Sequence, residues 1–167
     1  AFILTAAMLT TLTAPAFAGT WSIENGNITV KAGETGNDVT QNNVTTKNDT
    51  NTIITNQNKD IASSNTVTIE TNDKNDKVKV TLDNVNINVG SDSGSALTSN
   101  GDVTLTLKGD NSLTGGNGGS GISSNGSLTI SGGEKDSLTA QGGSGRSGIF
   151  SSGGVTISGG TVNATGG

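Results

Sequence analysis

Between Ser95 and Gly153 one seven-residue phrase is written three times, and it restricts the possible folds more than anything else in the chain. Ser95-Ala-Leu-Thr-Ser-Asn-Gly101 returns as Ser120-Gly-Ile-Ser-Ser-Asn-Gly126 and again as Ser147-Gly-Ile-Phe-Ser-Ser-Gly153. Leu97 precedes Ile122 by 25 residues, and Ile122 precedes Ile149 by 27. Val103 and Leu105 recur at the same steps as Leu128 and Ile130, then as Val155 and Ile157. A third series runs Leu113, Leu138, Val162. Repeats of this length mark a solenoid, in which no unit can bury its apolar row alone.

Inside each unit apolar and polar residues alternate, as in Val103-Thr-Leu105-Thr-Leu107. That is the period of a strand buried on one face. Three such strands per unit, joined by corners rich in Gly, Ser and Asn, describe one coil of an all-β, right-handed parallel β-helix. Coils stacked at about 4.8 Å would place Leu97, Ile122 and Ile149 in one interior column. Leu105, Ile130 and Ile157 would form another. The glycines at 101, 126, 132, 133, 153, 159 and 160 are expected to supply corner backbone with positive φ. Asn100 and Asn125, with Ser152 next in line, suit an Asn-type corner ladder.

Composition sharpens what is excluded. Only 29% of the residues are hydrophobic, against 26 glycines and one proline, a balance that alone suits a disordered chain. The alternation argues against disorder in the second half, because a narrow β-helix fills its interior with one stack of small and medium aliphatics. Net charge is −5, the basic residues are scattered singly, and aromatic residues are almost absent. Nucleic acid and anionic membrane surfaces are therefore disfavoured partners. Without cysteine there are no disulfides, thiolate metal sites or cysteine nucleophiles. Without histidine there is no usual general base, and a Ser-His-Asp hydrolase is excluded. Hard, oxygen-ligated cations such as Ca²⁺ remain as the metal candidates.

From its start, the chain divides into three parts. Residues 1–18 are an apolar run ending Ala16-Phe17-Ala18, which reads as the leader and A-x-A cleavage site of a secretory signal peptide. A short buried helix is the alternative. The run has no initiator Met or basic flank, and the chain stops at Thr165-Gly166-Gly167, where another coil would begin. Both ends read as part of a longer, exported bacterial protein, with no membrane span in its mature chain. Residues 19–65, dense in Asn and Thr, are expected to form an irregular N-terminal cap and first coils. Trp21 would plug the open end there, or else stack on a sugar. Residues 66–167 form the β-helix proper. The phasing before residue 78 has two solutions: 78–82 under 103–107, or 61–69 in that place. The first keeps the 25-residue step without a gap.

Aligned coils bring one corner together from Asp83-Asn84, Lys108-Gly-Asp110-Asn111 and Gly133-Glu134-Lys135-Asp136. Stacked carboxylates repel unless solvated, paired with lysine or bridged by a cation. Asp83, Asp110, Glu134 and Asp136 are accordingly the candidate Ca²⁺ ligands, with a solvated turn laced by Lys108 and Lys135 as the alternative. Asp73 to Asp76, with Lys74 and Lys77, reads as a charged loop. Arg146, the only arginine, lies in Gly142-Gly-Ser-Gly-Arg-Ser-Gly148. It is the candidate ligand-binding residue, since a guanidinium grips carboxylates in a bidentate fork; a solubilising residue on a flexible Gly loop is the other reading. The Gly run at 115–121 lacks the Lys-Ser/Thr of a phosphate loop. No carboxylate pair is marked out for glycoside hydrolysis.

Val78-Lys-Val-Thr-Leu-Asp-Asn-Val-Asn-Ile87, Ser93-Gly-Ser-Ala-Leu97, Asp102-Val-Thr-Leu-Thr-Leu-Lys-Gly-Asp-Asn-Ser-Leu113 and the coils from Gly121 and Gly148 resemble a secreted bacterial carbohydrate-binding domain family. The resemblance covers about residues 65–167 and rests mainly on coil-forming residues. It implies a right-handed parallel β-helix that binds acidic pectic polysaccharide, such as polygalacturonate, together with calcium. Three functions follow as expectations. They are a non-catalytic secreted or cell-surface binding module, an adhesin-like structural β-helix without a defined ligand, and a pectate-lyase-like enzyme.

Overall fold

The computed structural model describes residues 16–73 and 76–167. The leader up to Pro15, and Lys74 of the charged loop, lie outside the described residues. β1 (Thr20–Ser22) leads through a single 3₁₀ turn to β2 (Ile28–Ala32). β3 (Asn37–Gln41) and β4 (Val44–Asp49) fold back antiparallel beside β2, and β5 (Ile53–Thr55) and β6 (Val67–Glu70) return to the stack. Successive coils are β7 (Val78–Asp83), β8 (Asn86–Asn88), β9 (Leu97–Ser99); β10 (Val103–Lys108), β11 (Asp110–Thr114), β12 (Ile122–Ser124); and β13 (Leu128–Ser131), β14 (Ser137–Gln141), β15 (Ile149–Ser151). β16 (Val155–Ile157) and β17 (Thr161–Thr165) continue the winding.

These strands stack into three sheets, so the protein is an all-β parallel β-solenoid with three strands per coil. One sheet runs β1-β5-β7-β10-β13-β16 and a second β8-β11-β14-β17. The third runs β15-β12-β9-β6-β2 and ends in the antiparallel β3 and β4. Leu105 pairs with Val80 on one side and Ile130 on the other, so the first phasing is the one that forms. The rival phasing fails because Val67 pairs with Leu97, in a different sheet. Leu82, Leu97, Leu105, Leu113, Ile122 and Ile130 are all shut off from solvent. Among the described residues no helix is long and apolar enough to cross a membrane.

Three expectations need correction. Leu113 does not align with Leu138: it pairs with Ile87 and Ala140, while Leu138 pairs with Asn111 and Val162. Two extra residues between β13 and β14 slide the strand by one whole pleat, which keeps its apolar face inward. The buried Asn111 thus enters the stack, its Oδ1 accepting the Val85 N–H at 2.8 Å. Of the corner glycines named above, only Gly160 has a positive φ, +79°. Gly101, Gly126, Gly153 and Gly159 serve close approach instead, a Cβ on Gly126 standing 2.3 Å from the Gly101 carbonyl carbon, whereas one on Gly132 or Gly133 would meet nothing nearer than 3.1 Å. Asn100 and Asn125 also stay out of the left-handed region. Their corner is held by backbone bonds, by Asn100 Oδ1 accepting the Thr71 N–H of the preceding coil at 2.8 Å, and by a buried Ser99 hydroxyl donating to Ser124 Oγ at 2.8 Å.

The region before residue 66 is more regular than its composition suggests. Parallel pairing begins at β1, where Trp21 pairs with Ile54. Asn42 and Asn43, at φ +52° and +62°, make the two-residue left-handed turn that joins β3 to β4. Trp21 packs against the core and its indole N–H donates to Asp49 Oδ2 at 2.9 Å, a structural position.

Candidate functional site

The acidic corner forms, and its carboxylates are engaged by the protein itself. Asp83 ends β7 directly beside Lys108 at the end of β10, and Lys108 Nζ reaches Asp83 Oδ2 at 2.8 Å. Asp136 Oδ2 accepts the Gly133 N–H at 2.7 Å and its Oδ1 accepts the Gly109 N–H at 2.8 Å. The Ser137 hydroxyl donates to Asp110 Oδ1 at 2.7 Å. Glu134 and Lys135 are exposed at the tip of the turn. Sequence alignment of the coils thus brought Asp83, Asp110 and Asp136 to neighbouring rungs. Among the described residues, however, no three acidic side chains converge as a cation cage. A cation at this corner has to compete with Lys108 and two backbone N–H groups.

The titration of the corner follows from those bonds. The N–H groups of Gly133 and then Gly109 hold the Asp136 carboxyl below its ordinary 3.8, with the Lys108 charge a smaller influence. The hydrogen bond and charge of Asp83 raise the Lys108 ammonium. A carboxyl lowered in the folded state stabilises the fold above its unfolded pKa, and that contribution is lost as pH falls through the lowered value. The melting temperature of Asp136→Asn is therefore expected to lie below wild type near neutral pH. The gap should close as pH drops below 3.8. A gap that stays constant into acid would show that Asp136 does not act through its charge.

A second site lies on the loops that enter the third sheet. The Gly142–Gly148 loop is a stacked turn rather than loose chain. Gly116 N–H donates to Gly94 O at 2.9 Å and Gly143 N–H to Gly119 O at 2.8 Å, so loops of successive coils sit on one another. Arg146 N–H donates to Gly143 O at 2.9 Å, as Gly119 N–H does to Gly116 O at 2.8 Å one coil earlier. Arg146 thus occupies the place in its turn that Gly119 holds in the preceding one. Its guanidinium is exposed and, among the described residues, makes no ion pair. It lines a cleft of about 330 Å³ with Phe150 and the serines at 95, 120, 123 and 147.

Phe150 is the member of this site that sequence reasoning passed over. It pairs with Ser123, which pairs with Thr98, so it stands on the outward face of the ladder. There it is 49% exposed. The signal was present: the third copy of the repeated phrase has Phe where the second has Ser, at an outward position of the alternation. A phenyl ring there adds nothing to the core. Together the cleft offers one unpaired guanidinium, one exposed aromatic face and several hydroxyls. That combination suits a polar ligand with an apolar face and a negative charge.

Comparison of the chain with protein-family models, with curated proteins and with solved structures finds no match.

Proposed function

We propose that the protein is a non-catalytic, secreted or cell-surface carbohydrate-binding module that takes acidic polysaccharide in the Arg146–Phe150 cleft. The observation that carries this reading is the unpaired Arg146 guanidinium beside an exposed ring. A uronate presents a carboxylate for the guanidinium fork, a C–H face for the phenyl group and hydroxyls for the serines. Because the chain itself carries a net charge of −5, calcium enters as a bridge between polyanion and protein surface. The absence of histidine supports binding over turnover.

Calorimetric titration with polygalacturonate, with and without calcium, tests this. Arg146→Ala and Phe150→Ala are each expected to weaken binding by about tenfold or more, roughly 1.4 kcal/mol. Both sites are exposed, so melting temperatures should barely move. Loss of binding in Asp110→Asn and Asp136→Asn, with Arg146→Ala unaffected, would move the site to the acidic corner. Silence toward polygalacturonate and neutral glycans in a folded protein would leave the adhesin-like structural reading. Unsaturated products absorbing in the ultraviolet would establish a lyase.

A further inference from the structure

We propose that cleavage between Ala18 and Gly19 creates a charged group that locks the first coil, so that export completes the fold. Asp49, at the end of β4, is only 1% exposed. Its Oδ1 accepts the N–H groups of Gly19 at 2.9 Å and Asn51 at 3.1 Å, and its Oδ2 that of the Trp21 indole at 2.9 Å. Among the described residues no lysine or arginine forms an ion pair with it. A carboxylate withdrawn from water and held by neutral donors lacks the counter-charge that such groups need.

Processing supplies that charge from the chain itself. Ala16, Phe17 and Ala18 are exposed and place small residues at both flanks of an A-x-A site. A signal peptidase adds water across the Ala18–Gly19 amide. Ala18 leaves with a carboxylate, and Gly19 keeps its nitrogen and takes a proton to become an α-ammonium. That nitrogen already lies 2.9 Å from Asp49 Oδ1. Gly19 is buried, and a Cβ there would meet Trp21 Nε1 at 2.5 Å and Asp49 Oδ2 at 2.7 Å. Only glycine fits as the first residue of the mature chain. Its carbonyl accepts the Ile53 N–H at 2.9 Å, which ties the new terminus to β5. The bonds lost are those that the Thr50 N–H, at 2.7 Å, and the Thr50 hydroxyl, at 3.0 Å, donate to Phe17 O, at an exposed residue that water re-satisfies.

A chain beginning at Gly19 keeps every strand from β1 to β17, so the test uses the mature form. With a free amine it is expected to melt about 5 °C above the same chain acetylated at Gly19, the scale of one charge-assisted bond in a domain of this size. The difference should vanish when both carry Asp49→Asn. Equal melting, or a difference that survives Asp49→Asn, overturns the proposal. Should Asp49→Asn not fold, the rate of reductive methylation of the Gly19 amine decides. It should be about tenfold slower in the folded chain than in urea, and equal rates overturn the pairing. N-terminal sequencing of the exported protein is expected to return Gly19, and any other first residue also overturns it.

Discussion

Replacing Gly119 with alanine is expected to cost about 3 kcal/mol or more. A Cβ at that position would stand 1.7 Å from the Gly94 carbonyl oxygen and 2.1 Å from its carbon. Both are backbone atoms of the neighbouring loop, so no side chain can swing aside. The loops must separate, which strains the bonds from Gly116 N to Gly94 O and from Gly143 N to Gly119 O. The Arg146 turn rests on that stack, so the proposed binding of polygalacturonate should weaken together with stability. Gly118 is the control. Its φ is +80° and nothing lies near its would-be Cβ. Gly118→Ala should therefore cost only about 1 kcal/mol, the left-handed penalty alone. Urea unfolding of the two variants separates steric from conformational cost, and equal midpoints would refute the stacked-loop account.

Leu105→Ala is expected to lose about 3 kcal/mol, with a reduced urea midpoint and an unchanged slope. Leu105 is fully buried between Val80 and Ile130. The ladder bonds of β7, β10 and β13 hold these neighbours in register, so the cavity cannot collapse onto the missing methyl groups. A loss below about 1 kcal/mol would mean that the column closes around the missing side chain.

The fold was legible where side-chain period and repeat step agreed. The steps of 25 and 27 that join Leu97, Ile122 and Ile149 are the observed register of the third sheet. The series through Leu113 misled because a turn that lengthens by two residues preserves the alternation while shifting the partner. The glycines misled for a related reason. Composition reveals that a side chain is absent, but only the packing of coils reveals whether φ or close approach required it. The meander of β2, β3 and β4 carried one readable sign, the turn-forming pair Asn42-Asn43, masked by the polarity around it. The acidic corner could be aligned from sequence, but not the donors that occupy its oxygens, because Gly109 and Gly133 act through backbone N–H groups. Arg146 was visible by its rarity. Phe150 was visible only once its outward orientation was set beside the loop.

The stacking of coils also sets how far a given length of chain can reach. Each coil advances the stack by only one strand spacing, so the six-strand sheet spans about 24 Å along the axis. A single 25-residue repeat, pulled straight, would cover about 85 Å. A chain wound this way is a poor tether. What it gains is perimeter: every repeat lays three strands and three corners around the axis, each in register with the next. Side chains on one wall of neighbouring coils therefore stand side by side at one strand spacing, a repeat that a straight chain lacks.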